Sequence, residues 1–257
     1  MRTVAAVLAL VACVHAGIWA LVRPVGTAPD YTGQVASLSY SPFKDSAHPD
    51  YGPRPTAEQI RGDLAAIAPY TRAIRTYTAT NGAELIPQIA AEFGLKVTVG
   101  AWIDDDQARN EREIASALSL ARHYSNVDAI VVGNETTLRT DINVDDYVKN
   151  DLIPMIQRVK RSSPVPVTTG ELLDAWIDHP ELVSSVDFIA AHILPYWMGV
   201  DGSTAVDHTI ASYDMLRRMY PGKRVVIAEF GWPSAGYNYR GATPGRIEQA
   251  VILRDFV

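Results

Sequence analysis

Cysteine is almost absent: the single thiol, Cys13, lies in an apolar stretch near the N-terminus, so the rest of the chain can hold no disulfide. Basic clusters are missing as well. The 257 residues carry a formal charge of −6 with Lys and Arg scattered and no basic stripe, which argues against nucleic acid as a partner. The six histidines show no HExxH or comparable spacing, so no metal site and no cofactor is expected. No glycine-rich turn follows the first apolar strand. The run Ser37-Leu38-Ser39-Tyr40 gives phosphate no cradle, which removes the usual sign of a dinucleotide-binding sheet.

A long apolar run occurs once. Val4 to Val22 is near-continuous after Met1-Arg2, broken only by His15, and its length of about twenty residues fits a transmembrane helix better than a signal-peptide core. Gly26-Thr27-Ala28 offers a small-x-small site, so a cleaved signal is the alternative to an uncleaved anchor. Arg2 favours a cytoplasmic N-terminus, which places the remainder on the periplasmic or extracytoplasmic side, anchored or secreted. The expected organisation is an anchor or signal over 1–23, a linker over 24–34 and a folded unit over 35–257.

Within that unit, strand and helix patterns alternate. Apolar or β-branched runs at 35–40, 73–78, 95–103, 127–134, 166–170, 186–193 and 224–229 read as strands. Helical spacing or capping signals separate them: Thr56 before Ile60, Leu64 and Ile67; 83–93 closed by Gly94; Asp104 to Asp106 opening a helix to His123; 145–161; 180–183; 205–220; and a final helix begun by Thr243-Pro244. Seven βα units with no tandem repeat predict an α/β fold, a (β/α)8 TIM barrel rather than an open sheet. Seven strands leave that barrel one short before Val257, so an eighth is expected from a following segment.

A barrel carries its chemistry at the carboxyl ends of its strands. Those ends hold Tyr40 with Phe43, Arg75 with Tyr77, Trp102, Asn134-Glu135, Glu171, Tyr196-Trp197 and Glu229 with Trp232. Each aromatic alone could cap the core. Grouped around carboxylates they suit a sugar groove, because flat apolar rings stack on pyranoses while paired acids cut glycosidic bonds.

The stretch Val225-Val-Ile-Ala-Glu229-Phe-Gly-Trp-Pro-Ser234 resembles the nucleophile motif of family-17 glycoside hydrolases, the β-1,3-glucanase family, and Ala129-Ile-Val-Val-Gly-Asn-Glu135 resembles its acid/base strand. The resemblance implies a retaining mechanism, with Glu229 as nucleophile and Glu135 as acid/base. It further implies Asn134 on the sugar 2-hydroxyl, and Tyr196 of Pro195-Tyr196-Trp197 as a donor to Glu229. Tyr40, Arg75, Tyr77, Trp102, Trp197 and Trp232 are expected to bind substrate, with Trp232 as a stacking platform. Charge repulsion between the two acids is expected to raise the pKa of one. Asn134 and Glu135 are adjacent, so both can face the sugar only if the strand bulges or ends there.

His192 stands where plant members commonly carry Asn, and Glu171 has no family role, which leaves it a subsite acid or a plain strand-end carboxylate. Three further signals are set aside. The sequon Asn134-Glu-Thr136 would lie inside the groove, Asp104 to Asp106 reads as helix capping, and Arg109, Glu111 and Arg112 read as a solvated face. The expected partners are a β-glucan oligo- or polysaccharide, the membrane and, by resemblance to membrane-anchored prokaryotic members, a glucan synthase. A glucanosyltransferase shares the covalent intermediate with a glucanase, and a non-catalytic glucan-binding domain is the reading from a different class.

Overall fold

The computed structural model describes residues 2–22, 30–44, 49, 51–140 and 143–257. Seven strands lie in one parallel sheet in chain order: β1 Leu38–Ser39, β2 Ala73–Arg75, β3 Lys96–Ala101, β4 Val127–Asn134, β5 Val167–Leu172, β6 Ile189–His192 and β7 Val225–Glu229. The helices are α1 Arg2–Val22, α2 Ala57–Ile67, α3 Ile86–Glu92, α4 Gln107–His123, α5 Thr136–Arg139, α6 Val144–Tyr147, α7 Ile153–Ser162, α8 Leu173–Asp178, α9 Pro180–Ser185, α10 Ala205–Met219 and α11 Arg246–Phe256. Arg75 at the end of β2 forms a 2.7 Å ion pair with Glu229 at the end of β7. Strands five places apart in a flat sheet could not meet; the sheet curls into the wall of a (β/α) barrel, as expected.

Strand periodicity separates two layers. Ile130 and Val132 of β4 are fully buried in the main core, which also takes Ile60 and Leu64 of α2 and Ile114 and Ala117 of α4. The alternate residue Ala129 points the other way, into a smaller cluster with Phe188 and Ala190. Among the described residues β1 pairs only with β2 and β7 only with β6, apart from an isolated bridge between Val35 and Thr71. A cavity of about 820 Å³ extends from these edges along the sheet face that carries Ala129, Phe188 and Ala190, its wall including Leu38, Val226, Ala228 and Phe256. The expected eighth strand is not among the described residues.

Several boundaries differ from the sequence reading for local reasons. The helix expected over 145–161 is interrupted by a π turn, Val148–Leu152, ahead of Pro154, which cannot donate a backbone hydrogen bond. The last helix begins at Arg246, just after Thr243-Pro244. β1 is shorter than expected, β5 runs on to Leu172, and the short helices α5 and α8 carried no sequence signal. Asp106 caps α4 by accepting from the Arg109 amide at 3.0 Å, so the acidic run is a cap as expected. α1 is exposed along its described length, and its segment Thr3–Leu21 is long and apolar enough to cross a membrane. The linker residues 24–29, with the Gly26-Thr27-Ala28 site, lie outside the described residues.

Candidate active site

The site begins where β4 breaks its pairing. Its register against β5 shifts between Val131 and Asn134, Gly133 takes φ 84°, and Glu135 takes φ 50°, ψ 40°. Glycine costs nothing in that left-handed region, whereas glutamate adopts it only under constraint. The two turns bring adjacent side chains to one side. Asn134 Oδ1 accepts from Arg75 Nη2 at 2.6 Å, and Glu135 Oε1 lies 2.8 Å from His192 Nδ1. The bulge required for Asn134 and Glu135 to act together is therefore present.

Glu229 ends β7 on the same side. Arg75, only 5% exposed, donates through Nη1 to Glu229 Oε1 at 2.7 Å and lies 3.2 Å from His192 Nε2. A guanidinium can only donate, so Nε2 is the accepting nitrogen, and the imidazole carries its proton on Nδ1, toward Glu135. His192 Nε2 is also 3.5 Å from Glu229 Oε1. Ligating atoms of Glu135, His192 and Glu229 all lie within 4.8 Å of one another. That spacing would suit a metal triad, but the charge facing these groups is the guanidinium of Arg75. Gly170 of β5 lies beneath: a Cβ there would come within 2.6 Å of Arg75 Nη2 and 2.8 Å of His192 Nε2.

The electrostatics depart from expectation. The carboxyl of Glu135 is held below its ordinary pKa, first by the His192 hydrogen bond and further by the charges of Arg75 and Arg139, against the opposing effect of burial. The carboxyl of Glu135 is lowered rather than raised in the free site, because the His192 hydrogen bond and the cationic neighbours outweigh burial. A group that must donate a proton loses that capacity as pH rises through its pKa, so a depressed pKa brings the alkaline limb of activity to lower pH. The groups facing Glu135 are His192, Arg75, Arg139 and, across the gap, Glu229. His192→Phe removes the donor, and the alkaline limb of kcat/KM is expected to move to higher pH. A pH profile with an unmoved limb would show that His192 does not set it.

The expected binding residues divide. Tyr77 shares a cavity wall with Glu229 and Ser39, and its phenol is raised by burial first and then by the Glu229 charge. Tyr196, expected as the donor to Glu229, directs its hydroxyl to the Tyr237 carbonyl instead. Tyr40 is buried and donates to Asp63 Oδ2 at 3.0 Å; with Phe43, Tyr77 and Trp102 it lines a cavity of about 110 Å³. Trp102 has one face covered by the Arg139 guanidinium at 4.2 Å.

Trp232 is not a platform. It is 4% exposed, packs edge-on against Tyr196 at 5.6 Å and donates its indole N–H to the Thr243 carbonyl. The exposed plate is Trp197, 59% exposed, edge-on to Tyr239 at 6.2 Å. Trp232→Ala is accordingly expected to lower stability by about 3–5 kcal/mol, whereas Trp197→Ala should leave the melting transition in place and weaken oligosaccharide binding. Denaturant melts and calorimetric titration of both variants separate the two roles.

Sequence reasoning missed two residues. Arg139 donates to the carbonyls of Asn134 and Ile103, tying the ends of β3 and β4. Glu113, fully buried, accepts from Thr78 Oγ1, the Ala79 amide and the Trp102 amide, and so binds the β2 and β3 loops. Its signal was present: Glu113 and Asn110 fall on the same face of α4 as Ile114, Ala117 and Leu120. Glu171 is neither a groove acid nor an exposed carboxylate; it is buried and satisfied within the protein. Arg109 pairs with Asp104 at 2.9 Å rather than lying on a solvated face, while Glu111 pairs with Arg158 at the surface.

Residues 37–257 match the BtgE/BtgC glycoside hydrolase domain. The chain belongs to this family. A putative glucan endo-1,3-beta-glucosidase btgC of Aspergillus niger is 29% identical over 203 residues, covering 73% of this chain and 29% of that protein. The glucan 1,3-beta-glucosidase of Schizosaccharomyces pombe is 29% identical over 193 residues, 69% of this chain and 60% of that one. The aligned part of the family member thus spans less than a third of the Aspergillus relative. Among solved structures, an active-site mutant of Rhizomucor miehei beta-1,3-glucanosyltransferase in complex with laminaritriose superposes with a TM-score of 0.70 at 25% identity, covering 85% of this chain and 81% of that one. That enzyme is a glycoside hydrolase family 17 member.

Proposed function

We propose that this chain is a retaining glycosidase acting on β-1,3-glucan, with Glu229 as nucleophile and Glu135 as acid/base. The observation that carries the reading is the closeness of the two acids: one carboxyl oxygen of each lies within 4.8 Å of the other, with no gap for a water between them. Retaining enzymes place their carboxyl groups about 5–5.5 Å apart, while inverting ones leave about 6.5–9.5 Å for a water. Glu229 attacks the anomeric carbon as the glycosidic C–O bond breaks, and the proton of Glu135 goes to the departing oxygen. Glu135, then anionic, takes the proton of the incoming acceptor as that oxygen displaces Glu229. Arg75, bonded to Glu229 Oε1 and Asn134 Oδ1, orients the nucleophile and the amide that takes the sugar 2-hydroxyl. The substrate class follows from the names of the relatives.

Transfer to a second sugar is favoured as an additional outcome by one feature, the exposed Trp197 beside Tyr239, which offers an acceptor ring a stacking face. Incubation with laminari-oligosaccharides and separation of products by size tests these readings together. Shorter products alone indicate hydrolysis, longer and shorter together indicate transfer, and unchanged substrate would leave a glucan-binding domain.

The exposed apolar helix α1 supports a membrane-held or exported protein, with the barrel outside the cytoplasm. An anchored chain is expected to resist extraction by salt and carbonate and to retain Met1. Recovery in the soluble fraction with a new N-terminus near Pro29 would mean a cleaved signal.

A further inference from the structure

Glu171, on β5, is 0% exposed, and none of the chemistry above uses it. Its carboxylate accepts five hydrogen bonds. Oε1 takes the Thr136 amide at 3.0 Å, Thr136 Oγ1 at 2.6 Å and Thr169 Oγ1 at 3.2 Å. Oε2 takes the Thr137 amide at 3.3 Å and Thr137 Oγ1 at 2.7 Å. Four of the five donors belong to the two residues that follow Glu135. The amide of Glu135 itself donates to the Gly170 carbonyl at 2.7 Å. Consecutive residues of β5, Gly170 and Glu171, therefore fix residues 135–137 as a unit.

That unit contains the left-handed backbone of Glu135, φ 50° and ψ 40°. Only this turn brings Glu135 to the side of Asn134, Arg75 and His192, and a non-glycine residue stays there only when its surroundings over-determine it. We propose that Glu171 is a positioning residue for the acid/base: it holds the Glu135 backbone in the one conformation that presents its carboxyl to the glycosidic oxygen. This assignment rests on the reading of Glu135 given above.

The chemistry of the clamp demands a carboxylate. Each oxygen faces a backbone N–H as well as a hydroxyl, and an N–H can only donate. Glutamine has the same shape, yet whichever way its carboxamide is turned, its NH2 meets the amide of Thr136 or of Thr137. Glu171→Gln thus opens one of the two ties while leaving Glu135, Glu229, Arg75 and His192 in the sequence.

The test separates lost proton delivery from lost folding by the leaving group. In the full chain, kcat/KM is measured on a laminari-oligosaccharide, whose leaving alkoxide needs a proton, and on its dinitrophenyl glycoside, whose leaving phenolate does not. Glu171→Gln is expected to lose about 10²-fold on the first and stay within about threefold on the second. Thr137→Val, which removes one hydroxyl and keeps the amide, should show a smaller loss with the same dependence, and it carries the test if Glu171→Gln does not melt cooperatively. Parallel losses on both substrates, or no loss on either, would overturn the proposal. Wild type and Glu135→Ala are measured alongside. An inactive wild type would defeat the glycosidase reading itself, whereas an active wild type with parallel losses defeats only the clamp.

Discussion

Glu229→Ala is expected to lower turnover of laminari-oligosaccharides by about 10⁴-fold or more, since a nucleophile whose partners remain in place takes nearly all of the covalent route with it. The expected recovery is specific. Azide is small enough for the space the carboxylate leaves and attacks the anomeric carbon from that face. One displacement in place of two gives a glycosyl azide of inverted configuration, and Glu135 still supplies the leaving-group proton. Product analysis by NMR reads the configuration directly. A variant near the wild-type rate, or one rescued with retained configuration, would remove Glu229 from the nucleophile's role. Arg75 is left without its anionic partner in this variant, so a fall in thermal stability should accompany the loss of rate.

Glu135→Ala is expected to show a different pattern, with a loss of about 10²–10⁴-fold on unactivated glucan that shrinks as the leaving group becomes more acidic. With a dinitrophenyl glycoside the first step no longer needs the proton. The second step still lacks its base, so glycosyl-enzyme should accumulate in a burst. Azide, which brings no proton to remove, then releases the sugar with retained configuration. The opposite stereochemical outcomes of azide rescue in the two variants assign the two roles. Equal losses for Glu135→Ala across leaving groups would mean that this residue carries no proton in the reaction.

The depressed pKa of Glu135 bears on which half of the cycle the free site favours. His192, Arg75 and Arg139 hold the carboxyl in its anionic form. That is the form in which it accepts the proton of an incoming hydroxyl, so the resting electrostatics suit the acceptor step, and the acid step depends on a proton gained before the bond breaks.

Much of this architecture was legible in the sequence. Seven apolar runs separated by helical patterns located the strands along the chain, because side-chain periodicity is local and needs no tertiary information. The two acids were legible because each ends a strand inside a long motif, at Ala129 to Glu135 and Val225 to Ser234. The need for a bulge at Asn134-Glu135 followed from the two-residue repeat alone.

What only the tertiary structure decided were the partners across the barrel mouth. Tyr196 turns to the Tyr237 carbonyl and leaves Tyr77 on the cavity wall with Glu229, Trp197 rather than Trp232 offers an open face, and Glu171 turns inward to hold the loop behind Glu135. The residue types and strand-end positions of these pairs are alike in sequence. Which member reaches the groove depends on how each loop folds back after its strand, and on which buried donors and acceptors must be satisfied there. Those are long-range conditions: Arg75 reaches Glu229 across 154 positions of chain, and Glu171 reaches Thr136 across 35, separations over which no local pattern specifies a contact.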